Sequence, residues 1–261
     1  ITQDNTGVEY YGTIFAATES AFEAGLIWTG SDDGLVHISK NNGATWDNIT
    51  PKKMPEWMMI NCIEVDPFTK GGAYIVGTKY KSGDYKPYIY KTENYGKSWK
   101  EITNGIAEED FTRALKADPK RKGLLYVGTE RGMYISFDDG KNWQSFKQNL
   151  PIVPITDLAI KEDNLIAATQ GRSLWIIDDL TPLHQLNAST LKKEMVLYKP
   201  KDAYNLSGGN GKTSKTAGTN HAGGVAINYF IKKENEKDTI ALSFYDANDN
   251  LIKKYTTKPD K

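Results

Sequence analysis

A hydroxyl residue, a turn with glycine at its fifth position and a tryptophan at its eighth recur three times in this chain of 261 residues. The copies are Ser39-Lys-Asn-Asn-Gly-Ala-Thr-Trp46, Thr92-Glu-Asn-Tyr-Gly-Lys-Ser-Trp99 and Ser136-Phe-Asp-Asp-Gly-Lys-Asn-Trp143. A phrase that returns about every 50 residues means a chain built from stacked units, none of which buries its apolar face alone. Each copy closes a segment with one grammar. A strand pattern, such as Phe111 to Asp118, leads to a glycine-bounded apolar run, Gly25-Leu-Ile-Trp-Thr-Gly30, Gly72-Ala-Tyr-Ile-Val-Gly77 or Gly123-Leu-Leu-Tyr-Val-Gly128, then to a short strand, the phrase, and a last strand at the tryptophan. A fourth segment, from Ile155 to Ile177, keeps the strands but has Asp178-Asp179-Leu-Thr-Pro182 in place of the phrase. Four short strands per unit of this length make a β-propeller blade, and helical periodicity is nearly absent. The fold class expected is all-β: four four-stranded repeats over residues 1–198.

From Lys199 the texture changes. Residues 199–224 read as a glycine-rich linker or loop, and 225–261 as a partial Ig-like β-sandwich module with strands near Val225–Ile231, Thr239–Tyr245 and Leu251–Tyr255. Asp246-Ala-Asn-Asp-Asn250 is a hairpin-type turn between the last two. The chain begins at Ile1 without a methionine and reads as an excised piece.

Composition removes several function classes. Lysine plus arginine (33) equals aspartate plus glutamate (33), so no summed charge draws the chain to nucleic acid, and no nucleic-acid partner is expected. No apolar run approaches the ~20 residues of a membrane helix. His37, His184 and His221 have no metal-site spacing, so no metal and no cofactor is expected. The lone cysteine, Cys62, sits in an apolar strand and reads as a small buried hydrophobe. No nucleophile elbow or phosphate loop is present.

The phrase S/T-x-D/N-x-G-x-x-W resembles the Asp-box, or BNR, motif of sialidases, sortilin-type Vps10 domains and propeller glycosidases. Its structural residues here are Ser39, Asn41, Gly43 and Trp46; Thr92, Asn94, Gly96 and Trp99; Ser136, Asp138, Gly140 and Trp143. The nearest resemblance is to bacterial BNR/sortilin-like "glycosyl hydrolase" repeat proteins, in which such blades precede a β-sandwich module. It implies part of a larger propeller, as an open arc, in a bacterial protein that is secreted, periplasmic or outer-membrane-associated. It also implies a module that binds a protein or glycan partner beside other domains of the same larger protein. The alternative it implies is part of a sialidase- or xyloglucanase-like glycoside hydrolase with catalytic carboxylates partly outside this chain.

The motif itself explains folding. Hydroxyl and Asp/Asn oxygens accept turn N–H groups, glycine frees the turn, and tryptophan wedges between sheets. Its turn lies opposite the loops that join blades, so ligand-face candidates come from those loops. They are Trp57 in Pro51–Met59, then Tyr80, Asp84 and Tyr85 in the long insertion Thr78–Pro87, and three of the four arginines, Arg113, Arg131 and Arg172. Aromatic faces beside Asp84 and Lys81 suit a sugar or a peptide, and three converging guanidiniums would clamp a carboxylate. Trp57 capping a gap between blades, and arginines paired to carboxylates such as Glu130, are the structural alternatives. Catalytic residues stay unassigned: Glu19, Glu64, Asp66 and Asp157 lie on inner strands, and sequence raises no pair above the rest.

Overall fold

The computed structural model describes residues 11–203, 224–233 and 238–258. Most of the expected glycine-rich linker, with His221, lies outside the described residues. The chain divides into two compact units, residues 1–180 and 181–261.

The first unit is four antiparallel sheets of consecutive strands. Blade 1 holds β1 (Ile14–Glu19), β2 (Ile27–Ser31), β3 (Val36–Ser39) and β4 (Asp47–Asn48). Blade 2 holds β5 (Met59–Val65), β6 (Ala73–Lys79), β7 (Asp84–Thr92) and β8 (Lys100–Glu101). Blade 3 holds β9 (Thr112–Ala117), β10 (Leu125–Thr129), β11 (Gly132–Ser136) and β12 (Gln144–Ser145). Blade 4 holds β13 (Ile155–Lys161), β14 (Asn164–Thr169) and β15 (Leu174–Ile177). The inner strands pack side by side in the order β1, β5, β9, β13, and β1 and β13 are not a packed pair. The propeller blades expected from the repeat are therefore present, as a row of inner strands that stays open among the described residues.

The repeated phrase folds as its chemistry requires. The position-one hydroxyl accepts the position-five N–H, at 2.8 Å for Ser39 and Gly43, 3.0 Å for Thr92 and Gly96, and 2.9 Å for Ser136 and Gly140. The position-three oxygen accepts the position-seven N–H at 2.9 Å in every copy: Asn41 from Thr45, Asn94 from Ser98, Asp138 from Asn142. One oxygen does this work, so amide and carboxylate serve alike. Asp138 differs in charge. Partial burial opposes its ionisation, but donors from the Asn142 amide and N–H and the Ser136 hydroxyl outweigh it and hold the carboxyl below its usual range. A depressed folded value gives stability that is present above the unfolded value and is lost as pH falls through the folded one. Asp138→Asn is expected to keep the turn and flatten the acid dependence of thermal melts as pH falls through and below the usual carboxylate range.

Apolar cores lie between blades. Trp28 and Ile38 of blade 1 meet Ile75 and Tyr90 of blade 2; Tyr74 and Val76 of blade 2 meet Leu125, Val127 and Trp143 of blade 3. The box tryptophans seal these seams: Trp99 Nε1 donates to the Ile49 carbonyl and Trp143 Nε1 to the Ile102 carbonyl, both at 2.7 Å. Trp46, in the first box, is 42% exposed. Cys62 lies in the second seam, its thiol donating to the Leu115 carbonyl at 3.6 Å, and burial pushes its pKa to about 11. The thiol is expected to resist a disulfide reagent at pH 8 in native protein and to react fully in denaturant, which a thiol titration checks.

Two details correct the sequence reading. Asn42, Tyr95 and Asp139 donate their N–H to the carbonyls of Gly25, Gly71 and Gly123 at 2.9, 2.8 and 2.9 Å. That bond aligns Gly71 with Gly25 and Gly123, so the counterpart of Gly30 and Gly128 is Val76 and not Gly77. Leu180 N–H makes the same bond to Asp163 at 2.8 Å, so Ile177 stands at box position one and Thr181 at position five. With no hydroxyl at position one and Pro182 at position six, the turn is not completed and helix α1 (Thr181–Gln185) follows. Among the described residues blade 4 is therefore three-stranded, not four-stranded as expected.

In the second unit, β16 (Met195–Leu197) pairs with β17 (Tyr229–Ile231), and β18 (Ala241–Tyr245) with β19 (Leu251–Thr256). β16 falls within the 1–198 range expected for blades, yet its ladder partner is the module that follows. The turn between β18 and β19 forms as read, with Asn248 and Asn250 N–H both on Asp246 Oδ1 at 2.8 Å.

Candidate functional site

The pairing of Ile14 with Ser31 places the entry to the inner strand beside the β2–β3 loop, and the box turns lie at the other end of each sheet. The blade-joining face thus gathers the fourth-to-first connections and the second-to-third loops.

Trp57 stands out on it. Met54 and Met58 of the same connection are buried and anchor it. Trp57 between them has φ 60° and is 59% exposed, with the Tyr11 ring against it edge-on at 5.5 Å. A bulky side chain in left-handed backbone costs about 1–3 kcal/mol. Here that strain holds an indole out in solvent.

The insertion of blade 2 makes a second cluster. It opens with a 3₁₀ turn, Tyr80–Ser82, which Gly83 closes at φ 77°. Tyr80 stacks on Phe111 at 5.0 Å and 13°, and Tyr85 tilts toward the same ring at 6.2 Å. The Arg113 guanidinium lies 5.0 Å from the Phe111 ring and 5.7 Å from that of Tyr80, and it binds Glu130 Oε2 through Nε at 2.7 Å and Nη2 at 2.6 Å. Tyr80, Tyr85 and Arg113 therefore converge on Phe111, a residue the sequence reading passed over as the start of a strand. Asp84 is turned inward: it accepts the Tyr88 hydroxyl at 2.6 Å and the Lys86 N–H at 3.1 Å. Desolvation works against its charge, and these donors with Lys86 and Lys79 still hold it below the usual carboxylate range. Tyr85, 52% exposed, is the aromatic face of this cluster left to solvent.

Each of the three arginines has a partner of its own. Arg113 is paired to Glu130 as the structural alternative supposed. Arg131 is fixed by its N–H on Asp110 Oδ1 at 3.0 Å, and Arg172 Nη1 donates to the Gly171 carbonyl at 2.9 Å. The inner-strand carboxylates are largely occupied in turns and seams. Glu19 accepts the Gly25 N–H at 2.8 Å, and Asp66 that of Phe68 at 2.9 Å. Glu64 crosses to blade 3, accepting from Lys116 Nζ at 2.9 Å and from the Ala117 N–H at 3.2 Å. Burial raises its pKa; Lys116 opposes the rise and the charge of Asp157 adds to it. No group of His, Cys, Asp and Glu suited to a metal occurs among the described residues.

On the box face, position four does work that the motif does not announce. Asn42, Tyr95 and Asp139 stand there in left-handed backbone at φ 57°, 60° and 65°. Asp139 accepts the Tyr74 hydroxyl at 2.6 Å and Lys91 Nζ at 2.5 Å from the preceding blade, and the Tyr95 hydroxyl reaches back to Glu23 at 2.7 Å. A polar groove of about 350 Å³ lies here, lined by Glu23, Lys40, Tyr95 and Lys97.

Against known proteins, residues 34–151 match the Sortilin-Vps10 family (sortilin, neurotensin receptor 3). An oligoxyloglucan-reducing end-specific xyloglucanase of Emericella nidulans is 24% identical over 107 residues, 41% of this chain and 13% of that protein. Among solved structures, the GH74 xyloglucanase from Xanthomonas campestris superposes with TM-score 0.50 at 15% identity, covering 64% of this chain and 28% of that one. A structure of YCF48 bound to D1 peptide gives 0.49 at 20% identity, covering 64% of this chain and 52% of that one. The chain thus spans about one eighth of the curated relative it matches. Over residues 34–151 the chain is similar to the sortilin-type propeller proteins, and it shares the fold of the GH74 propeller.

Proposed function

We propose that these blades, a segment of the sortilin/BNR-type propeller family, act as a binding module whose blade-joining face holds a protein or glycan partner within a larger multidomain protein. The observation that carries the reading is Trp57, held 59% exposed on strained backbone beside Tyr11. Exposed aromatic faces on a rigid scaffold are what sugars and extended peptides stack on. Tyr85, on the Phe111–Arg113 cluster, adds a further exposed ring. A secreted or cell-envelope setting in a bacterium fits this reading; no helix among the described residues is long and apolar enough to cross a membrane.

Screening the chain on glycan and peptide arrays should find a ligand. Trp57→Ala or Tyr85→Ala is expected to weaken it by about tenfold or more, with the melting temperature unchanged. Binding indifferent to these changes and to replacement of every other blade-joining loop would exclude the ligand face. The alternative, part of a xyloglucanase-like hydrolase, draws on the part-buried inner-strand carboxylate Glu64 and on the matched relatives. Release of sugar from a xyloglucan oligosaccharide by a longer protein containing these blades, lost in Glu64→Gln, would favour it.

A further inference from the structure

The seat of Trp143 is a template. Its Nε1 binds the Ile102 carbonyl at 2.7 Å, its N–H binds the Asn104 carbonyl at 2.8 Å, and Ile106 and Tyr134 pack around the ring. The segment after blade 3 repeats the segment after blade 2, with Phe146, Gln148 and Leu150 in the places of Ile102, Asn104 and Ile106. The box bond of Leu180 to Asp163 aligns Ile177 with Ser136, which puts position eight at His184. The chain is by then in α1, and no fourth strand lies along β15 among the described residues. What stands at the expected seat is a groove lined by Phe146, Gln148, Leu150, Leu165, Ala167 and Trp175. Blade 4 thus combines an apolar slot at the place where blade 3 has a tryptophan with a third strand that lacks the ladder partner its counterparts have.

We propose that this groove and the free edge of β15 bind an extended peptide that adds as the missing fourth strand and seats a tryptophan between blades 3 and 4. The chain's own seams define the ligand chemistry. In Trp46-Asp-Asn-Ile49, Trp99-Lys-Glu-Ile102 and Trp143-Gln-Ser-Phe146 a tryptophan is followed by two polar residues and a large apolar one. The partner segment is of that class: extended, near neutral, with tryptophan three residues before an apolar side chain. Main-chain pairing to the edge supplies affinity, and the groove supplies selection for the indole. The site shares the connection after blade 3 with the blade-joining face but includes neither Trp57 nor Tyr85, its other residues coming from β14 and β15 of blade 4.

The test uses the whole chain and a synthetic peptide, Gly-Lys-Ser-Trp-Lys-Glu-Ile-Thr, the sequence of residues 96–103. Calorimetry should give a Kd of about 10–100 μM, and the peptide with alanine for tryptophan should bind at least about thirtyfold more weakly. Leu150→Glu, on a half-exposed lining residue, should reduce binding comparably while the thermal melt stays cooperative. Trp57→Ala should leave it unchanged. Equal binding of both peptides, absence of binding at millimolar peptide, or loss through Trp57→Ala with Leu150→Glu silent would each overturn the proposal. If Leu150→Glu melts early, hydrogen exchange on the wild-type chain decides: peptide-dependent protection of residues 174–177 supports the site, and its absence removes it.

Discussion

Trp143→Ala is expected to destabilise the first unit by about 3–5 kcal/mol, the range for removing a buried large aromatic from a core. The side chain is 5% exposed, fills the seam between blades 2 and 3, and satisfies the Ile102 carbonyl at 2.7 Å through its indole. Alanine leaves a cavity and a carbonyl stripped of its donor, and both costs fall on one seam. The identical change in the first box should do little. Trp46 is 42% exposed, so Trp46→Ala is expected to shift stability by less than about 1 kcal/mol. Chemical denaturation of the two variants separates these outcomes by several-fold. Equal losses would mean that the box tryptophan stabilises its own turn and not the seam it enters.

The second large effect comes from a residue outside any motif. Gly105 follows the last strand of blade 2 with φ 98°, and a Cβ built on it would stand 2.2 Å from the Trp143 carbonyl oxygen. Gly105→Ala must therefore enter backbone that L-residues avoid and displace a main-chain oxygen, which cannot swing away as a side-chain end does. Strain of about 1–3 kcal/mol and an overpacking cost of similar size make a loss of about 3 kcal/mol or more the expected result, read from the denaturation midpoint. The two sites share one contact, since the Asn104 carbonyl holds the Trp143 N–H at 2.8 Å. Their double variant should accordingly lose less than the sum of the singles, and full additivity would count against a common seam.

The turns were legible because their chemistry is local. Ser39, Asn41 and Gly43 satisfy one another within five residues, and no distant partner is needed to predict the loop they make. What crosses between blades was not legible. Position four of the box reads as any residue, yet Tyr95 and Asp139 use it to reach Glu23 and Tyr74, more than sixty residues away in each case. Phe111 read as the start of a strand, and only the fold brings the Tyr80 ring over it. The paired glycines Gly71 and Gly72 left the register of blade 2 open by one residue, which hydrogen bonding then settled. Arg113 was chosen for its charge and turned out to stack and pair within the fold. Trp57 was chosen for its ring, and the backbone that exposes it is a property no sequence pattern carries.

The reach of Tyr95 and Asp139 at position four, like that of Trp99 and Trp143, is backward, from a blade to the one before it. On the ribosome this imposes an order. A blade leaving the exit tunnel has its strands and its turn, but the fastening of its exposed flank is encoded about fifty residues downstream and has not yet been made. Blade 2 gains Asp139 on Tyr74 and Lys91 only when the third box emerges. Nascent chains halted with residue 139 still inside the tunnel should therefore leave blade 2 open to protease, and chains long enough for residue 143 to have emerged should close it. Assembly would then proceed one seam behind synthesis, each newcomer locking its elder.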